Sequence, residues 1–265
     1  EEIEEIEVVD DVAPTAAASV SFFDPKKGTV AERFLNFSTA RTLRPLNLLL
    51  VFDHRAAENL ADNPFRDFLG LDAGRLKIGI GVRFGIIEGL EVGISRLGGT
   101  YEIFDAYELD LKWQFLRQEA HELDAAVRAG GTWFAQTERG DALGGFAQLN
   151  LDRELFGRVL IGATALVHSD SSAARKRPDD TNLSFALGGM LEWRIIEPIA
   201  LGFELHGVAA GYDAGLAWSG YAKFLTWAHS FALVVSNTQY INADGLAAGT
   251  SRGAGDVVFG FSIAR

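Results

Sequence analysis

From about Leu43 to the C-terminus, apolar and polar side chains alternate with period 2, the pattern of strands that present different chemistry on their two faces. In the run 107–115, Tyr107, Leu109, Leu111, Trp113 and Phe115 share one face, and Glu108, Asp110, Lys112 and Gln114 share the other. Leu76, Ile78, Ile80, Val82 and Phe84 likewise oppose Lys77, Gly79, Gly81 and Arg83. Leu183, Phe185, Leu187, Leu191 and Trp193 oppose Ser184, Gly188, Glu192 and Arg194. Further strands are expected near 43–55, 89–96, 122–134, 142–152, 156–168, 198–208, 215–226, 229–238 and 255–264. The total is about twelve, and each clear run is long enough to cross a bilayer. The expected fold is all-β, a closed antiparallel transmembrane β-barrel with an acidic N-terminal tail.

The connections alternate in length. Long or polar ones fall at 56–73, 97–104, 135–141, 169–181, 209–214 and 239–254, with tight turns near 85–89, 117–121, 153–154, 195–198 and 226–228. A barrel whose first strand rises from the periplasm puts every long loop outside. The aromatic residues Tyr107, Trp113, Trp133, Trp193, Trp218 and Trp227 are expected to form the interfacial girdle, with the tryptophans at strand ends or, for Trp227, in an inner turn. A soluble β-sandwich would also alternate, but so many long strands would expose too much apolar surface.

Composition narrows the picture. Hydrophobic residues make up 48% of the 265 residues, yet no stretch approaches the roughly 20 apolar residues of a spanning helix. There is no cysteine, which removes disulfides and thiolate metal sites. The chain begins at Glu1 with neither Met nor an apolar run, so a secretory signal is expected to have been removed already. Seven of the formal −12 charges lie in the base-free stretch Glu1–Asp11, and the rest of the chain carries −5 without a basic patch, which argues against nucleic acid as a partner. Residues 1–40 therefore read as an acidic periplasmic tail or partner-docking segment, and 41–265 as the barrel.

Several local features resemble a known family. They are Phe52-Asp53-His54-Arg55 ending the first strand and Phe68-Leu69-Gly70-Leu71-Asp72 in the first loop. The hairpin with Gly81, Phe84, Gly85, Gly89, Leu90, Val92, Gly93 and Arg96, and the exit Lys112, Leu116, Arg117, Gln118, complete the set. On these residues the chain resembles a group of bacterial membrane-bound β-barrel domains of unknown function, over Leu43 to Arg265. The resemblance implies fold and membrane location and carries no activity. Outer-membrane barrels often end in an aromatic residue, whereas here Phe259, Phe261 and Ile263 precede Arg265.

The polar face supplies the candidate chemistry. Asp53, Glu91, Glu108, Asp110, Asp124, Glu192 and Glu204 are expected to line the lumen with Arg55, Lys77, Arg83, Lys112, Arg128, Arg158, Arg194 and Lys223. Two readings stay open: a narrow pore whose charges order ions or small solutes, or a plugged interior whose charges pair across strands because unpaired ones are costly. Val167-His168-Ser169-Asp170-Ser171 is the one run that invites comparison with outer-membrane lipases, but parity turns His168 into the lumen at the start of a loop. His54, His121, His206 and His229 make no metal-spaced pair, and Gly245, Gly249, Gly253 and Gly255 read as a flexible external loop. No catalytic residue, metal or cofactor is expected.

The sequence thus reads as an outer-membrane, porin-like diffusion channel with a mixed-charge lumen. The alternative is a non-conducting scaffold barrel, and a lipid-modifying enzyme is a distant third. Expected partners are outer-membrane lipid and lipopolysaccharide, and a periplasmic or surface protein at Glu1–Asp11 or at the long outer loops.

Overall fold

The computed structural model describes residues 33–56, 59, 76–99, 104–136, 142–169, 183–226 and 229–265. Within them the chain forms twelve strands: β1 (Leu48–Ala56), β2 (Leu76–Ile87), β3 (Leu90–Gly99), β4 (Phe104–Leu116), β5 (Asp124–Gln136), β6 (Ala142–Leu155), β7 (Val159–Ser169), β8 (Leu183–Ile196), β9 (Ile199–Ala210), β10 (Ala217–Leu225), β11 (Ser230–Ser236) and β12 (Val258–Ala264). Two short helices, α1 (Gln118–His121) and α2 (Ala243–Ala248), lie in connections. Every strand pairs antiparallel with its neighbours in sequence, and β12 closes on β1 with Val51 opposite Ala264 and Arg55 opposite Gly260. Closure leaves no strand edge unpaired, which a sheet in hydrocarbon requires.

The period-2 pattern decides the two surfaces. Leu109, Leu111, Trp113, Leu187, Leu191, Phe203 and Leu233 all point outward and are exposed, Leu109 to 60%. An apolar belt of this extent is tolerated only against lipid. The opposite parity turns Asp53, Glu91, Glu108, Asp110, Lys112, Glu192, Glu204 and Lys223 inward, where they are buried. In β12, Val258, Ser262 and Ala264 are inward and buried. The fold is thus a barrel with its apolar side out.

The first strand begins later than the alternation suggests, at Leu48 rather than near 43. Residues 33–43, which straddle the boundary drawn from composition at residue 40, run inside the barrel, and 44–47 form its exposed exit. Phe34, Leu35, Phe37, Thr39, Ala40 and Leu43 are all buried there. The loop after β11 also enters the barrel: Ala243, Asp244, Gly245, Leu246 and Ala247 of α2 are buried, and α2 packs on β7, β8 and β9. The expected flexible external loop is corrected here, because three apolar side chains in one helical turn gain more from the wall than from water.

Candidate functional site in the barrel lumen

One side of the lumen is a charge network carried by β2 to β5. Their register places Arg83 beside Gly93 and Gly93 beside Asp110, so a long side chain can reach across a strand with no side chain of its own. Arg83 reaches Asp110 at 2.7 Å and Glu91 at 2.5 Å, and Arg128 reaches Asp110 at 2.7 Å and Glu108 at 3.3 Å. Lys112 lies 3.0 Å from Glu91. On the other side of β1, Lys223 pairs with Glu192 at 2.6 Å, and Tyr221 donates to the same carboxylate at 2.8 Å. Such pairing offsets the desolvation that isolated charges could not bear.

The remaining sequence-predicted lumen residues divide by location. Asp53 and Arg55 are buried on β1, Asp124 at the start of β5, Lys77 on β2 below the Tyr240 ring (5.6 Å), and Arg194 near the inner end of β8, donating to the Glu197 carbonyl at 2.9 Å. Arg158 is a correction. It lies in the β6–β7 turn and is exposed, because Phe156 and Gly157 take positive φ (54° and 64°) and the strand's parity stops there. Of the aromatic set, Tyr107 stacks on Trp133 at 5.1 Å and Phe203 on Trp218 at 6.5 Å, while Trp113 and Trp193 are exposed at the opposite end of the barrel. Trp227 lies outside the described residues.

The functional element that sequence reasoning missed is the strap, residues 33–47. It sweeps around the inside of the wall, and the wall's charges bind its main chain. Glu204 accepts the N–H groups of Leu35 (2.7 Å), Asn36 (3.0 Å) and Phe37 (3.4 Å); Asp152 accepts that of Ala40 (2.6 Å) and Glu91 that of Leu43 (2.8 Å). Lys223 donates to the Arg33 carbonyl at 3.0 Å, and Lys112 to the carbonyls of Arg41 (2.5 Å) and Thr39 (3.3 Å). Side chains add Arg33 to Asp53 (3.2 Å), Arg41 to Asp124 (2.9 Å) and Asn36 to Ser219 (3.0 Å). Charge-assisted bonds of this kind are about twice as strong as neutral ones.

The strap's phenylalanines seat among β6 to β9, the strands that also carry Asp152 and Glu204. Phe34 and Phe37 form one cluster with Phe146, Leu160, Leu166, Met190 and Ala200 of the strands and Ala243, Leu246 and Ala247 of α2. The strands make room by glycine: a Cβ at Gly162 would lie 2.8 Å from the Phe34 ring. At Gly85 a Cβ would strike the Arg44 carbonyl, where the strap leaves the lumen. Inward-facing glycines were the signal available in the sequence, since a lumen face without side chains has room for something else.

α2 is held by the charged wall as well, since Ala243 N–H donates to Glu108 at 2.7 Å. Near the same level, His168 is fully buried. Its ring stacks on Phe146, and its nitrogens meet the Thr132 hydroxyl at 3.0 Å and the backbone carbonyl of Ser169 at 2.6 Å. The Ser169 hydroxyl accepts the Gly145 N–H at 2.8 Å, so this pair is not arranged as nucleophile and base. Asp170 and Ser171 lie outside the described residues. Among the described residues no three His, Asp or Glu side chains gather as a metal site.

Two spaces remain. A cavity of about 100 Å³ lies mid-lumen, bordered by Arg33, Asn36, Asp53, Arg83, Arg128 and Asn242. A vestibule of about 580 Å³ lies at the turn end, bordered by Arg41, Arg44, Glu88, Gln114, Arg117 and Asp124. They share no lining residue. Glu91 joins Arg83 of the first to the Leu43 N–H beside the second, and Glu91 and Lys112 are fully buried. Strap residues 39–43 lie at this level, bound by Glu91 and Lys112.

Fold and lumen together define a closed, twelve-stranded membrane β-barrel. The chain belongs to the membrane-bound beta barrel domain family (DUF5777), whose model matches residues 30–265. The match takes in the strap. Among solved structures the chain is similar to the KdgM porin, at 6% identity and TM-score 0.54 over 82% of this chain and 97% of that one. It is also similar to the NanC porin (10%, 0.48, 82% and 98%) and to the outer membrane protein Omp33 of Acinetobacter baumannii (11%, 0.45, 83% and 97%). At 6% identity, the KdgM likeness shows the fold alone. None of the curated proteins matches the chain by sequence.

Proposed function

We propose that this protein is an outer-membrane, porin-like channel for small solutes, with a mixed-charge lumen, and that the arrangement described is its closed state. The observation that carries this reading is the lumen wall itself. Its strands turn carboxylates, guanidinium groups and ammonium groups inward along the barrel, a lining that water and ions can wet and that an inert packed core would not need. The cavity beside Arg83 and Arg128 offers solute space on that wall. Bacterial outer membranes are where closed barrels of even strand number occur. Lipid and lipopolysaccharide are then the surroundings of the aromatic and apolar belt. The segment Glu1–Asp11 is the site proposed for a periplasmic or surface protein. The reading calls for no catalysis.

Planar-bilayer recordings of the purified full-length protein test it. Openings above the lipid background are expected, and Arg128→Glu should shift their selectivity toward cations because each lining charge acts at close range. A packed lumen also favours a non-conducting scaffold. That reading takes over if neither the wild type nor a variant with a loosened strap opens.

A further inference from the structure

We propose that the barrel wall is a built receptor for polypeptide main chain and that its occupant, the strap, is a displaceable gate; this rests on the channel reading. Three observations converge. The wall groups bind the strap mainly through backbone atoms: five N–H groups point at three carboxylates, and three carbonyls accept from two lysines. Among the described residues, neither Glu204 nor Asp152 has a cation within ion-pair distance, so strap N–H groups take the place that water would otherwise fill. A permanent plug would be seated more cheaply on apolar side chains, because buried carboxylates cost several kcal/mol each unless fully satisfied. Carboxylates that can exchange strap N–H groups for water suit two states, one strapped and one wet.

The strap also stands outside the barrel ladder. Its own β-type pairing is one isolated bridge, Arg33 with Ser38, so its departure breaks no strand-to-strand hydrogen bond. Its exit is a pinned turn: Asn47 N–H donates to the Arg44 carbonyl, Leu46 N–H to the Gly85 carbonyl, and Leu46 adopts φ 66°. With the turn fixed as a hinge, the strap is free to swing as a unit. On this reading its departure opens the level between cavity and vestibule, where Glu91 and Lys112 now bind residues 39–43.

Cysteine locking tests this in the full-length chain, which has no cysteine of its own. Asn36→Cys with Ser219→Cys replaces a pair in contact at 3.0 Å between strap and wall. The pair is closed as a disulfide by an added two-electron oxidant, which takes up both thiol protons, or by a short bis-thiosulfonate linker that forms a disulfide at each cysteine with loss of sulfinate; a thiol reductant opens either. In bilayer recordings, openings should vanish when the pair is locked and return on reduction, and Glu204→Gln with Asp152→Asn should raise open probability several-fold. Equal conductance locked and reduced would overturn the gate while leaving the channel reading intact. Silence of the wild type, the reduced pair and the loosened variant alike, with the barrel's heat-modifiable band preserved, would overturn both.

Discussion

The two halves of the lumen wall differ in how they balance charge against apolar surface. On β2 to β5 the inward positions carry Arg83, Glu91, Glu108, Asp110, Lys112 and Arg128, tied into one network. On β6 to β9 several are apolar or absent: Phe146, Leu160, Leu166, Met190, Ala200 and Gly162. The β2 to β5 half neutralises itself, holds α2 through Glu108, and binds strap main chain at Glu91 and Lys112. The β6 to β9 half receives Phe34, Phe37 and Leu246 and also binds strap N–H groups, through Asp152 and Glu204. The strap is thus held by hydrogen bonds from both halves, and its phenylalanines seat on one of them. Buried aromatic side chains contribute about 1.5–3 kcal/mol each, and hydrogen bonds to charged groups about as much, so neither kind of contact dominates.

The comparison can be broken at its strongest point. Asp110 lies between two guanidinium groups, and Asp110→Asn should cost roughly 3–5 kcal/mol by leaving two buried cations underpaired. Urea unfolding in lipid vesicles measures it, and a loss under 1 kcal/mol would mean that water already screens this half. Leu160→Ala on the opposite half should cost about 2–5 kcal/mol through the cavity beside the strap phenylalanines. Because the two sites share no partner, the double variant should be additive within about 0.5 kcal/mol. A larger coupling would show that strap and wall respond as one unit. The smallest effect belongs to the outer rim: Arg96 and Asp105 pair at 2.7 Å but are substantially exposed, and Arg96→Ala should change stability by less than about 1 kcal/mol. A larger loss would place the rim, and not the lumen, at the centre of barrel stability.

Much of the architecture was legible because a strand's period-2 alternation is local: Leu109 and Asp110 face opposite ways whatever lies beyond them. The twelve strands, the antiparallel order, the outward belt and the inward charges all follow from that rule and from loop length. It failed where the backbone leaves the strand, as at Arg158, whose parity is broken by two residues of positive φ. It failed again at α2, read as an exposed glycine-rich loop, because Leu246 and two alanines show no partner until the barrel closes around them.

The sequence by itself determined which face of each strand meets lipid, since hydrophobicity at alternate positions admits one orientation in a bilayer. It did not determine what fills the lumen. Phe34, Leu35 and Phe37 form a short apolar cluster without strand or helix period, and nothing near them in sequence names their contacts. Those contacts are Glu204, Met190 and Leu160, more than 120 positions away. Closure of the sheet brings these residues to one interior, and only there do buried carboxylates find the strap's N–H groups in place of water.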